Sequence, residues 1–249
     1  MSERVKSEPG NVIIARRALM GKDKLKRFEE NQRFECLYQP EFEEVFRNEY
    51  RMKGRWNTEH FKNSNLIVLE LGCGRGEYTV EMARSFPEKN FIGVDIKGAR
   101  MWRGAKSATE EQLQNAAFMR CRIEFTEAVF GAEEISEIWI TFPDPQPKKS
   151  NKRLLSSFYL NRYRNFLKRG GVIHLKTDSL FLHEYTLELV KYNKLELIEA
   201  CSDIYGSGRA DSMLSIKTHY EKKFLSQGIP ITYLAFKIGN TPLTEPLAT

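Results

Sequence analysis

Two short stretches of this 249-residue chain place reactive side chains at spacings that packing alone does not require. The first, Leu69-Glu70-Leu71-Gly72-Cys73-Gly74-Arg75-Gly76-Glu77, sets a carboxylate two residues ahead of three alternating glycines. The second, Thr141-Phe142-Pro143-Asp144-Pro145-Gln146-Pro147-Lys148-Lys149, sets Asp144 among three prolines and directly before a basic tract. Glycines in the first pattern let a chain turn tightly and approach a ligand that a Cβ would obstruct. Glu70 stands where a carboxylate reaches a ligand ammonium group or its ordered water. Asp95, 19 residues beyond Gly76, stands where a carboxylate accepts both hydroxyls of a ribose. Dinucleotide sites use a similar turn, but their fingerprint wants the third glycine one residue later and rarely has an acid at the position of Glu70. The expected ligand is a nucleoside-bearing cofactor.

In the second stretch, Pro143, Pro145 and Pro147 fix φ near about −65° and restrict the residues before them, so Asp144 is held in a stiff loop. Such a loop suits alkylation of a ring nitrogen, where aligning the two reactants contributes roughly 7–11 kcal/mol. Guanine N7 bears no proton and needs no strong base. A carboxylate beside it would position the base and offset the positive charge that accumulates there.

The elements that must hold these loops can be read from the pattern. From Asn65 onward apolar runs alternate with helical segments. Strands are expected at Leu66–Leu71, Asn90–Asp95, Ala117–Cys121, Ile135–Phe142 and Val172–Lys176, the last opened by Gly170-Gly171. Helices are expected at Glu77–Phe86, Met101–Leu113, Ser156–Leu167 and Leu180–Tyr192. The tail reads as strands at Leu195–Cys201 and Ile229–Ile238, separated by a polar loop and a helix at Ile216–Leu225. This rhythm implies an α/β fold with a mostly parallel, seven-stranded, Rossmann-like sheet, helices on both faces and an antiparallel C-terminal strand. Both loops then sit at carboxyl ends of strands, where open α/β sheets bind ligands. Residues 1–64 read as a basic, partly mobile N-terminal extension before a domain over residues 65–249, with a short helix near Pro40–Asn48 and aromatics that pack rather than stack on bases.

The chain is 41% hydrophobic, yet no apolar run approaches the roughly 20 residues of a membrane span and the N-terminus lacks an apolar signal core. A cytoplasmic protein with no membrane partner is expected. Cys36, Cys73, Cys121 and Cys201 form no paired spacing and the four histidines are scattered, so neither a metal site nor a disulfide framework is expected. The net charge is +6. Between Asp144 and Arg169 lie eight Lys or Arg and no acid besides Asp144 itself: Lys148, Lys149, Lys152 and Arg153 beside the loop, then Arg162, Arg164, Lys168 and Arg169. That local field suits a polyanion.

The E-x-G-x-G-x-G form with its strand-end acid resembles motif I and the second-strand acid of class I S-adenosylmethionine-dependent methyltransferases. The proline loop, followed by Asn151-Lys152-Arg153-Leu154, resembles the F-S/P-D-P-W-x-K…KRR signature of the transfer RNA (guanine-N7)-methyltransferases. His174-Leu175-Lys176-Thr177-Asp178 and Thr218-His219-Tyr220-Glu221-Lys222-Lys223-Phe224 are similar to that family's strand-end T-D and its late T-x-[YF]-E-x-[KR]-[FG]. The resemblance runs from about Gly21 to Phe236. It implies methylation of N7 of a guanosine in the variable loop of tRNA, with S-adenosyl-L-methionine as donor. On the same basis Glu70, Gly72, Gly74, Gly76, Asp95 and the residues near Arg122 would contact the cofactor, and Asp144 would lie between cofactor and base. Lys148, Asp178, Thr218, His219, Tyr220 and Glu221 would contact the substrate, with Asp178 or Glu221 accepting from guanine N1–H and the 2-amino group.

The chain departs from the family pattern twice. Where an Asp is common before the fourth strand, it reads Cys121-Arg122-Ile123-Glu124, so either the backbone at Arg122 or the carboxylate of Glu124 takes that place. Gln146 replaces the usual Trp. Two competing readings are a methyltransferase acting on another RNA, a protein or a small molecule, and a non-catalytic RNA-binding module. A protein or small molecule would leave the adjoining cations without an evident job, and a binding module would not need Glu70, the three glycines, Asp95 and Asp144 together. A monomer is expected, with a homodimer as the alternative.

Overall fold

The structure is a computed structural model that describes residues 23–46, 49–210 and 212–246. A helix that includes residues 23–31 (α1) leads to β1 (Leu37–Tyr38) and α2 (Phe42–Phe46), and a π-helical turn follows at Trp56–Phe61. The alternating part comprises β2 (Leu66–Leu71), α3 (Glu77–Ser85), β3 (Lys89–Asp95), α4 (Gly98–Glu110) and β4 (Ala116–Arg120), then α5 (Thr126–Val129), β5 (Ile135–Thr141), α6 (Ser157–Tyr163), β6 (Leu167–Thr177) and α7 (Leu180–Tyr192). It closes with β7 (Glu196–Cys201), α8 (His219–Ser226) and β8 (Thr232–Lys237).

The sheet runs β1-β4-β3-β2-β5-β6-β8-β7. All pairings from β1 to β6 are parallel, while β8 is antiparallel to both β6 and β7. Parallel strands covered on both faces read as nearly continuous apolar runs, and β2 (LIVLEL) is buried at every residue after Leu66. Two clusters of buried side chains lie against the sheet. One takes Leu160 of α6 and Leu182 and Leu189 of α7; the other takes Tyr78 and Met82 of α3 and Met101 and Ala105 of α4. The strand order reverses between β2 and β5, and the crevice at their carboxyl ends is the switch point where such sheets bind ligands.

Among the described residues the expected seven strands are eight. The additional one, β1, is only two residues long and pairs with β4 through Leu37 and Phe118, too short for any alternation to show in the sequence. Near it, Trp56 is fully buried and donates from Nε1 to the Val129 carbonyl at 3.1 Å, so residues before 65 contribute to both sheet and core. The mobile start expected of the N-terminus falls on residues outside the described ones. The expected helix near Pro40–Asn48 is α2, whose Phe42 and Phe46 rings stack at 4.9 Å. The helix expected to reach Leu167 ends at Tyr163, because Leu167 already pairs with Ile135 as the first residue of β6. The same strand runs through Gly170-Gly171 rather than opening there. The register slips at that point, with Gly170 at φ +74°.

Candidate functional site

The glycine turn leaves β2 and hands the chain to α3. The amides of Gly72 and Cys73 both donate to the Val94 carbonyl, at 2.8 and 3.0 Å, which fastens the turn to the end of β3. Gly74 donates to Asp95 Oδ2 at 3.0 Å and Lys97 to Asp95 Oδ1 at 2.8 Å, so the Asp95 carboxylate is fixed by backbone on both sides. All three glycines have positive φ. Gly76 has a second reason to be glycine: a Cβ there would lie 2.5 Å from Phe118 Cε1 and 3.1 Å from the Gly104 Cα of α4.

Glu70 is buried where β2 and β5 part. One oxygen accepts from the Thr79 amide at 3.0 Å and the Thr79 hydroxyl at 2.5 Å, and the other from the Thr141 hydroxyl at 2.7 Å. Burial pushes its carboxyl up to about 7 against the opposing pull of those hydrogen bonds. Thr79 and Thr141 escaped the sequence reading as partners of Glu70. Thr141 stood at the head of the proline loop, but nothing in its type tied it to a carboxylate in another strand.

The proline loop starts with Phe142, whose amide donates to the Lys176 carbonyl of β6 at 2.8 Å. Phe142 and Gln146 both have positive φ, at +48° and +46°, a conformation that costs about 1–3 kcal/mol and is kept only when neighbours enforce it. Gln146 turns toward Asp144. Its amide and side-chain Nε2 donate to the two Asp144 oxygens at 3.2 and 2.9 Å. Arg153 enforces the loop from the other side: Nε donates to the Gln146 carbonyl at 3.2 Å and a terminal nitrogen to the Pro147 carbonyl at 3.0 Å. Its guanidinium carbon lies 4.3 Å from the Tyr185 ring centre and 4.8 Å from that of Phe181. The expectation that Arg153 meets a substrate phosphate is thereby corrected. Only 8% exposed, the side chain is committed to the loop.

A cavity of about 690 Å³ opens between the two loops at the carboxyl ends of the strands. Glu70, Gly72, Gly74 and Asp95 line one side, and Asp144, Lys152 and Asp178 the other, with Thr218 and Tyr220 closing the rim. Ile96, half exposed, and Ile123 add apolar surface that the sequence reading passed over. Asp178 is half buried, which raises its carboxyl above the usual range.

Other expected site residues stand elsewhere. Gly76 faces α4 instead of the cavity. Arg122 and Glu124 lie 3.6 Å from each other, and the residue between them, Ile123, reaches the cavity where they do not. Lys148 and Lys149 are exposed outside the lining. His219 is also outside it, and its amide donates to Glu77 Oε2 at 2.8 Å. Glu221 is corrected outright: it is fully buried, paired with Lys176 at 2.8 Å and hydrogen-bonded by the Tyr205 hydroxyl at 2.7 Å, so no guanine can reach it.

The basic tract also divides. Arg162 pairs with Glu127 and Arg169 with Glu133, at 2.5 and 3.4 Å. Lys168 and Arg169 stand at the start of the 11-residue β6, whose far end leads to Asp178, roughly 30 Å away at strand rise. They cannot extend a surface that begins at the cavity, so the continuous positive face expected through Arg169 is corrected to its first part alone.

Residues 64–234 match a family model described as "Putative methyltransferase". A protein of Christiangramia forsetii named tRNA (guanine-N(7)-)-methyltransferase is 54% identical over 220 residues, covering 87% of this chain and 98% of that one. A protein of the same name from Bacteroides thetaiotaomicron is 48% identical over 219 residues, 88% of this chain and 87% of that one. Among solved structures, the 16S rRNA methyltransferase KamB superposes with a TM-score of 0.57 at 14% identity, over 73% of this chain and 92% of that one, a likeness of fold alone.

Proposed function

The chain belongs to the tRNA (guanine-N(7)-)-methyltransferase family, and from that premise we propose that it transfers a methyl group from S-adenosyl-L-methionine to N7 of a guanosine in the variable loop of tRNA. One observation carries this reading. The glycine turn with Glu70 and Asp95, and the proline loop with Asp144, line the same cavity although they are far apart in sequence.

The lining suits the donor. The cavity volume falls in the roughly 300–1,000 Å³ range of small-molecule sites. Asp95 accepts the ribose hydroxyls, Ile96 and Ile123 cover the adenine, and Glu70 faces the ammonium end. Gly72 and Gly74 keep the turn open, since a Cβ on either would stand free of close contact on its protein side and project into the space a ligand needs. S-adenosyl-L-methionine supplies a methyl group made electrophilic by its sulfonium. The remaining work belongs to the chain. Asp144, oriented by both nitrogens of Gln146, holds the guanine in line and offsets the charge that develops on N7. Asp178 accepts from N1–H and the 2-amino group, a paired contact that adenine cannot return. Lys148, Lys149, Lys152, Thr218, His219 and Tyr220 meet the RNA around the rim. On the adenine side, the backbone at Arg122 or the carboxylate of Glu124 flanks Ile123 from either side in sequence.

We take the enzyme to act as a monomer, with a homodimer as the alternative. Among the described residues no helix is long and apolar enough to cross a membrane, and we place the protein in the cytoplasm with its RNA.

The test is direct. Purified protein is incubated with labelled S-adenosyl-L-methionine and unmodified tRNA, and the product is treated with borohydride and aniline. Cleavage at a single variable-loop guanosine is expected. Label on the RNA without cleavage, or label only on other substrates, would overturn the reading.

A further inference from the structure

A second depression, of about 260 Å³, adjoins the large cavity and shares Gly74, Arg75, Arg100 and Tyr220 with it. Its other walls include Arg27, Trp102 and Arg103. Four guanidinium groups thus converge from three places: Arg27 from α1, Arg75 from the glycine turn, and Arg100 and Arg103 from α4, whose three-residue spacing puts them on one face. No acid lines the depression. Among the described residues Arg27, Arg100 and Arg103 form no ion pair, and the carboxylate paired with Arg75 is Glu77 at 3.9 Å. Arg84, Arg162 and Arg209 are neutralised closely, by Glu81 and Glu111, by Glu127 and by Glu199. Other arginines, Arg51 and Arg120 among them, form no ion pair among the described residues either, and what sets the basin apart is that four guanidinium groups share one concavity.

The arrangement is also built. Trp102 donates from Nε1 to Glu30 Oε2 at 2.6 Å, which fixes the indole, and the Arg27 guanidinium carbon stands 5.0 Å from the centre of that ring. Guanidinium groups gathered around a concavity with no acid among them repel one another until an anion enters. The methyl donor carries one carboxylate and no phosphate, so it can occupy at most a fraction of this capacity. A polyphosphate backbone matches it, since Arg binds phosphate oxygens through its planar fork.

We propose that this basin takes backbone phosphates of the RNA beside the methylated guanosine, so that the RNA approaches across α1 and α4. A third depression continues the track past Arg75 and Arg103 to Lys217, His219 and Lys222, although Glu77 and Glu81 also line it. The face therefore differs from the one that the run of cations after Asp144 suggested. The proposal rests on the RNA-methylating reading above and adds the surface that holds the substrate.

Binding of unmodified tRNA is measured over a series of KCl concentrations for the wild type, Arg27→Ala, the pair Arg100→Ala/Arg103→Ala, the pair Arg100→Lys/Arg103→Lys, and the pair Arg162→Ala/Arg169→Ala. Removing one phosphate-binding cation should lower the slope of log affinity against log salt by about 0.7–0.9, so the slope of the double Ala variant should fall by about 1.4–1.8 and its binding should weaken roughly tenfold or more at physiological salt. The Lys pair should keep most of the slope, the 162/169 pair should match the wild type, and S-adenosyl-L-methionine affinity should stay within about twofold for Arg27→Ala and for the 162/169 pair, none of whose residues lines the large cavity. A double Ala variant that binds with wild-type slope and affinity, from an enzyme that does methylate tRNA, would overturn the basin alone. A wild type that neither binds nor methylates tRNA would overturn the function, and the basin with it.

Discussion

The ammonium of Lys176 and the carboxylate of Glu221 meet at 2.8 Å with neither side chain exposed to solvent. Lys176 also donates to the carbonyls of Leu214 and Ile216, at 2.7 and 2.8 Å, so one buried cation ties β6 to the segment that delivers Thr218 and Tyr220 to the cavity rim. The Thr218 hydroxyl caps α8 by accepting from the Glu221 amide at 3.3 Å. Removing one member of such a pair strands a buried charge, which costs about 3–5 kcal/mol, whereas replacing both by apolar groups of similar volume costs far less. Urea unfolding of Glu221→Ala, Lys176→Met and Lys176→Met/Glu221→Leu should place the double variant above both singles in stability. A double variant less stable than either single would show that the carbonyl bonds of Lys176 outweigh the ion pair.

Glu70 gives the fold a pH dependence of unusual sign for a carboxylate. Burial raises its carboxyl from an ordinary 4.5 to about 7, so in that window the native state keeps a proton that the unfolded chain has released. The native state then binds more protons, and stability is fully present below about 4.5 and is lost as pH rises through about 7. Glu70→Gln removes the titration. The stability of the wild type relative to this variant should fall by ~3 kcal/mol between the two ends of the window. Binding of a ligand ammonium favours the charged form, so calorimetry near pH 6 in buffers of different ionisation enthalpy should show proton release in the wild type and none in the variant. A flat stability difference would mean that Thr79 and Thr141 hold the group ionised throughout.

Much of this arrangement was legible in the sequence, for reasons that particular residues make plain. The apolar run of β2 reads as a covered strand, and α7 spans the Leu180–Tyr192 that its pattern suggested, with Ser179 capping it in the structure, its hydroxyl accepting from the Leu182 amide at 3.2 Å. Glycine and proline carry their backbone preferences with them, so both loops could be recognised before their strands were paired. What failed was the destination of long charged side chains. Arg153 looks like any cation in a basic tract until Tyr185 and Phe181 are brought against it, and Glu221 looks available until Lys176 is. Lys168 and Arg169 read as a continuation of the tract, but the chain passes from α6 into β6 between them and the loop and carries them to the opposite end of the sheet.

The buried guanidinium of Arg153 predicts a kinetic signature distinct from that of a phosphate-binding arginine. It grips the Gln146 and Pro147 carbonyls while Tyr185, itself donating to Glu245 Oε2 at 2.8 Å, braces its face. Loosening this hold lets Asp144 drift, and misplacement on the order of 1 Å costs roughly a hundredfold in rate. Arg153→Ala should therefore lower kcat by roughly ten- to a hundredfold with little change in KM for S-adenosyl-L-methionine. Arg153→Lys should recover little, because an ammonium cannot span both carbonyls and stack on the ring. Normal kcat with weakened tRNA affinity would return Arg153 to the RNA surface.

Asp144 itself separates chemistry from binding. Asp144→Asn keeps the size of the side chain and a group able to meet Gln146, but removes the charge that faces the developing cation on N7. Turnover should drop by about a hundredfold or more while cofactor affinity, set by the opposite wall, changes by less than about threefold. Near-normal turnover would remove the carboxylate from the mechanism and leave the loop a positioning role only.

Two glycines with nearly the same backbone angle allow strain to be told apart from crowding. Gly170 lies at φ +74° with open space where a Cβ would go, and Gly76 at φ +70° with Phe118 only 2.5 Å from that point. An alanine in this left-handed region costs about 1–2 kcal/mol from local sterics, so Gly170→Ala should lose about that much. Gly76→Ala should lose a further 1–3 kcal/mol or so, because Phe118 and the α4 backbone must move to admit the methyl group. Thermal and urea unfolding of both variants give the comparison. Equal losses would mean that the approach of α4 to the turn is loose, and the glycine would then be required by its angle alone. A larger loss at Gly76, joined to weaker cofactor binding, would show that the packing of Gly104 and Phe118 beneath the turn sets the shape of the cradle above it.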